Sequence, residues 1–146
     1  RPRNKQDKLC PIPFRCSSIQ RLTAPQSHSD GKAVKFVSKG WGFERWIVNN
    51  EEYCGKLLYL TKGKRCSWHY HILKDEVFYV QSGRVKVLYS DEEDRDDAKE
   101  IILEAGDNFH VYRGLKHQII ALMDTELFEF STQHFDSDSH RIIKGD

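Results

Sequence analysis

Two histidines one residue apart, His69 and His71, are followed by a carboxylate at Glu76 and, farther along, by a third histidine at His117. In an extended segment side chains alternate between faces, so residues two apart point the same way and both imidazoles can reach one ion. Glu76 comes after the short connection Ile72-Leu73-Lys74-Asp75, at the head of another strand-like run that would set its carboxylate beside the pair. His117 opens a later run and could close the cluster from the far side. Three neutral imidazoles and one carboxylate suit a single divalent manganese, iron, cobalt, nickel or zinc ion, and leave coordination positions open for water or substrate. A lone strand histidine is more commonly a surface or hydrogen-bonded group. The joint spacing is what points to a metal.

Holding these side chains together requires paired strands. From residue 34 onward the chain breaks into short β-branched and aromatic segments at 34–37, 43–48, 53–60, 66–71, 76–81, 84–89, 100–103, 108–111, 117–121 and 126–131. Between them fall Gly, Asn, Asp and charged clusters that read as turns. Strands this short and this evenly spaced predict an antiparallel sandwich or barrel rather than βαβ units. The connection 91–100 carries seven acids against Arg95 and Lys99. It lacks the glycine of an EF-hand loop, so a solvated hairpin loop is the preferred reading.

Gly63, His69, His71, Glu76 and Gly83 fall at every fixed position of the first cupin motif: a glycine, five residues, HxH, three or four residues, Glu, six residues and Gly. Gly106, Tyr112-Arg113-Gly114, His117 and Ala121 resemble the second motif, with Tyr112 in place of its proline and Ala121 in place of its asparagine. Neither departure touches a ligand position. The resemblance, extended by the strand pattern over about residues 35 to 135, implies an all-β jelly-roll cupin barrel, a double-stranded β-helix with a pocket in its mouth. It also implies metal ligation by His69, His71, Glu76 and His117.

The flanks are similar to the cupin module of type II mannose-6-phosphate isomerases and to small cupin sugar isomerases. Gly40-Trp41-Gly42, the run 55–67 leading into the metal motif, Phe128-Glu129-Phe130-Ser131-Thr132, and Asp138-Ser139-His140-Arg141 with Asp146 carry that similarity. It implies a metal-dependent sugar or sugar-phosphate isomerase or epimerase. Aldose and ketose differ by protons moved between adjacent carbons, so the reaction needs a Lewis acid to stabilise enediolate charge and a base to move the proton. Glu129 is the first candidate base, and His110 the second. If Phe128 and Phe130 pack inward, Glu129 faces solvent. If Glu129 points into the barrel, burial is expected to raise its pKa. Arg113, Lys116 and Arg141 are candidate cations for a phosphate, or else solubilising surface charges. Trp41, Trp46 and Trp68 could stack on a sugar, or could be core. An Fe(II)-dependent dioxygenase and a non-catalytic metal-stabilised ligand-binding module are the alternatives on the same ligand set.

The chain has 146 residues, enough for one core and a tail but not for two cores. No run approaches the roughly 18 apolar residues of a membrane-spanning helix. Lys plus Arg number 23 and Asp plus Glu 22, so net charge offers no reason to expect nucleic acid or a membrane as partner. A small-molecule substrate is expected instead. The near-neutral sum hides a split, because residues 1–25 carry six bases against one acid and the remainder is net acidic. Residues 1–30, which also hold every proline, read as a basic arm, and 31–146 as a single domain. The chain starts at Arg1 without methionine, so further sequence is expected upstream. A cytoplasmic location is expected, or an organellar one if the Arg-rich, acid-poor arm is what remains of a transit peptide. Cys10, Cys16, Cys54 and Cys66 form no CxxC pair, and reduced thiols are the default. A homodimer is expected, since small jelly rolls have edge strands to cover and the arm could add a strand to a neighbour.

Overall fold

In the computed structural model, residues 34–146 are described. The arm 1–30, with Cys10 and Cys16, lies outside the described residues. Two antiparallel sheets face one another. The first runs in the order β1 (Lys35–Lys39), β2 (Gly42–Asn49), β3 (Cys54–Leu60), β10 (Thr125–Ser131), β5 (Glu76–Ser82), β8 (Asn108–Val111). The second runs β11 (His140–Ile143), β4 (Trp68–Tyr70), β9 (Lys116–Ala121), β6 (Arg84–Ser90), β7 (Lys99–Glu104). This is the expected jelly roll, and ten of the eleven strands overlap segments read from the sequence. β11 was not foreseen. Three of its four residues are exposed, so His-Arg-Ile-Ile carries no inside-outside alternation to detect. The 66–71 segment shortens to three residues, with a single bridge between Arg65 and Ile120 ahead of it.

Period-two alternation places the inward rows, and each row changes character along its strand. On β3 the inward residues are Lys56, Leu58 and Leu60; on β5 they are Glu76, Phe78 and Val80; on β10, Glu129, Leu127 and Thr125; on β9, His117, Ile119 and Ala121. Pairing of Glu129 with Lys56 and of Leu127 with Leu58 aligns two of these rows end to end. One end of the barrel is therefore apolar, with Val85, Val87, Leu103 and Leu127 fully buried. The other end gathers the ionisable side chains. The core and the site are built by the same strands.

Tight turns preserve this register. Gly83, between β5 and β6, has φ +89°, and a Cβ there would collide with the backbone of Asp124 and Thr125. Only glycine fits without strain. At the open end a side chain does the equivalent work. Asp138, buried on a short 3-10 turn (Asp136–Asp138), accepts hydrogen bonds from the backbone N–H groups of Ile72, Leu73 and Lys74 at 2.9 to 3.1 Å. Those bonds fix the β4–β5 connection and so the approach of Glu76 to the histidines.

Candidate metal centre

β4 and β9 meet at one residue pair, His69 opposite His117, which brings the two imidazoles to 4.3 Å between ring centroids, tilted by 53°. His71 stands two residues beyond His69 and its ring lies 4.9 Å from that neighbour. One ligating nitrogen from each of His69, His71 and His117 lies within 4.8 Å of the others. Glu76, opening β5, extends Oε1 to 3.5 Å from His71 Nε2 and 3.2 Å from His117 Nε2. The structure thus brings together all four residues singled out by spacing.

The tautomers are set from behind. Each Nδ1 sits against a backbone carbonyl that can only accept: Ser67 O at 2.9 Å for His69, Asp138 O at 2.8 Å for His71, Leu115 O at 3.0 Å for His117. The proton therefore resides on Nδ1 and the Nε2 lone pairs are left bare, the second-shell arrangement that presents an imidazole to a metal. His71 Nε2 and Glu76 Oε1 are buried without a hydrogen-bond partner. Such orphaned groups are costly unless a ligand meets them. Burial, with the neighbouring His117 and His71, holds His69 well below the usual imidazole pKa. Burial and the Lys74 ammonium push His71 down to about 4. Neutral imidazoles with free Nε2 atoms beside an ionised carboxylate fit one divalent transition ion.

The cluster lies on the wall of a cavity of about 430 Å³ at the polar end of the barrel. Glu129 is on the same wall and only 5% exposed. Phe130 is 53% exposed and stacks on half-buried Phe128, so the flanking phenylalanines take the outer face and the glutamate turns inward. The expected direction of its pKa shift is overturned. Burial alone would raise the carboxyl, but Lys74 Nζ at 2.9 Å, with Lys56 Nζ at 3.5 Å, holds it below the usual carboxylate value. Lys74 also reaches Glu76 Oε2 at 2.5 Å, so Glu76 too is held well below its ordinary pKa despite full burial.

The remaining candidates divide. Arg141 lines the cavity, on β11 directly opposite His69. His110 does not line it. On β8 it alternates with buried Val111, so its ring faces outward and pairs with Asp75 at 2.9 Å. Arg113 is turned away to Leu73 O at 2.8 Å, and Lys116 to Asp91 O at 2.7 Å. Of the tryptophans only Trp41 lines the cavity. Trp68 is fully buried and donates to Glu93 O at 2.8 Å, and Trp46 is held between the ammonium groups of Lys35 and Lys56.

Lys56, Lys74, Glu44 and His134 also line the cavity and were not foreseen from the sequence. Lys56 had a signal, since it shares the inward phase of Leu58 and Leu60. Lys74 sits in a connection, where no periodicity applies. His134 follows β10; Asp136 meets its Nε2 at 3.1 Å, while its buried Nδ1 has no partner.

A family model described as a cupin domain matches residues 56–130. No curated protein matches the chain in sequence. Among solved structures, the chain is similar to KdgF from a Halomonas species, at 16% identity and TM-score 0.61, covering 70% of this chain and 91% of that one. It is also similar to a variant of oxalate decarboxylase from Bacillus subtilis, at 19% identity and TM-score 0.66, covering 75% of this chain and 30% of that one. The capsular polysaccharide assembling protein CapF from Staphylococcus aureus matches at 17% identity and TM-score 0.66, covering 75% and 34%. At these identities the likeness is one of fold. The chain spans about a third of the length of the last two proteins.

Proposed function

The chain belongs to the cupin family, and on that premise we propose that it is a metal-dependent isomerase or epimerase of small sugars or sugar phosphates. His69, His71, His117 and Glu76 would hold one divalent ion. When bound, that ion supplies Lewis-acid polarisation of a carbonyl and its neighbouring hydroxyl oxygen. The observation that carries the reading is Glu129, a buried carboxylate on the same cavity wall as the bare imidazole nitrogens.

In isomerisation Glu129 is the base that takes the proton from the hydroxyl-bearing carbon beside the carbonyl and returns it to the former carbonyl carbon, while the proton of that hydroxyl passes to the former carbonyl oxygen. Contacts of Glu129 with Lys74 and Lys56 keep it ionised despite its burial, and so ready to accept. The same contacts lower its basicity, so the abstracted proton must come from a carbon already acidified by carbonyl polarisation. Trp41, Phe78 and Ile119 supply an apolar wall that excludes water from the reacting carbons. Arg141 stands at the wall with its fork available to a phosphate or carboxylate on the substrate.

The deciding experiment is an anaerobic panel of aldoses, ketoses and their phosphates in deuterated water, run on protein of measured metal content. Isomerisation with solvent deuterium entering the product is expected. Glu129→Gln at saturating metal should reduce turnover by about 10²- to 10⁴-fold, the range for removing a general base. No turnover on any sugar, together with oxygen uptake that appears only after iron loading, would replace this reading with that of a dioxygenase. Sugar binding without turnover in any metal form would favour a binding module.

A further inference from the structure

The chemistry above uses Lys74 only through its contact with Glu129; its contact with Glu76 has no part in that chemistry. The Lys74 ammonium is almost wholly buried, at 3% side-chain exposure, between Glu76 at 1% and Glu129 at 7%. It lies 2.5 Å from Glu76 Oε2 and donates a hydrogen bond of 2.9 Å to Glu129 Oε1. The Glu76 carboxylate is thereby divided. Oε1 faces the imidazoles of His71 and His117, and Oε2 faces the ammonium. The backbone of Lys74 is pinned by Asp138 at 2.9 Å, so the lysine is delivered to this place by the fold.

Removing an ammonium from water is expensive, and two carboxylates compensate it here. A divalent ion meeting the imidazoles and Oε1 would put a second positive charge on the opposite oxygen of the same carboxylate. Both Lys74 and Glu76 are almost wholly buried, where screening is weak, so the two charges would oppose one another through Glu76. Glu129 gives the ammonium somewhere else to go.

We propose that Lys74 competes with the divalent cation for Glu76, and that Glu129 sets the strength of that competition by sharing the ammonium. The inference rests on the metal centre of the proposed function and deepens it, making Lys74 and Glu129 positioning residues for cation binding. In the wild type the ammonium is divided between two carboxylates. Without the Glu129 carboxylate it belongs to Glu76 alone, and a cation must displace it fully.

Cobalt(II) binding by the full chain tests this, read from visible absorption and from competition with a chromophoric chelator. Wild type, Lys74→Met, Glu129→Gln and the double variant form a thermodynamic cycle. Lys74→Met should tighten cobalt binding in both backgrounds, by roughly tenfold more in Glu129→Gln than in the wild type, a size expected of side chains sharing a contact. Equal tightening in the two backgrounds, or a larger gain in the wild type, would mean plain charge repulsion and overturn the role of Glu129. Unchanged or weaker binding on removing Lys74 would overturn the competition itself. Lys74→Gln, which keeps a donor without the charge, serves the same comparison if circular dichroism shows that the methionine variant does not fold. A wild type that takes up no cobalt would overturn the metal centre and this inference together. Binding with an additive cycle would overturn the inference alone.

Discussion

His69, His71 and His117 share one device, a carbonyl behind Nδ1 that leaves Nε2 bare. Loss of a ligand should therefore cost more than loss of its supporting hydrogen bond, which typically weakens metal binding by about 10- to 100-fold. His69→Ala and His117→Ala are expected to reduce metal content after dialysis to background, measured by elemental analysis. Retention of metal by either variant would remove that residue from the ligand set. The described cysteines give a second prediction at this scale. Cys54 and Cys66 are free and buried, and burial is the largest influence raising both thiols above their ordinary pKa. A raised thiol stays protonated as pH rises, and only the thiolate attacks. At pH 8 both should be alkylated by iodoacetamide far more slowly in the folded protein than in denaturant, as read by peptide mass mapping. Equal rates in the two states would contradict the burial.

Among the elements, the β4–β5 connection matters most, because it carries Lys74 and ends at Glu76. It has no strand ladder of its own and relies on Asp138, whose carboxylate takes three backbone N–H groups. Burial alone would raise this carboxyl, but those three bonds and His71 hold it below its usual pKa. Asp138→Ala leaves the donors unsatisfied, which costs about 1–3 kcal/mol for a buried group. Chemical denaturation should show that loss, and cation binding should weaken because Glu76 loses its fixed approach. Stability within experimental error of the wild type would show that water replaces the carboxylate. β11 acts from the other side, since its pairing with β4 sets Arg141 opposite His69 and covers the outer side of β4.

At the scale of the molecule, the proposed ligands come from both sheets, His69 and His117 from the second and Glu76 from the first, with His71 just beyond β4. A cation there would cross-link the sheets and bind only the folded chain. At a hundredfold excess over its Kd it should add about 2.7 kcal/mol, an increase of several degrees in Tm for a domain of this size. Chelation should reverse the gain in a thermal melt, and a Tm indifferent to chelator and cobalt would count against a metal centre that bridges the sheets. The jelly roll and the gathering of His69, His71, Glu76 and His117 were legible in the sequence. Period-two alternation and motif spacing are local properties, and they specify which face each side chain takes and how many residues separate the ligands. The environment of those side chains was not legible. Glu129 turns inward because Phe128 and Phe130 have an outer face to occupy, and its pKa falls rather than rises because Lys56 and Lys74 arrive from β3 and from the β4–β5 connection, well separated from it in sequence. His110, Arg113 and Lys116 were placed by charge type alone, and the structure turns each toward Asp75, Leu73 or Asp91. Spacing along the chain determines which groups can meet. Whether a buried charge meets a partner or a void depends on strands distant in sequence, and only the tertiary structure decides that.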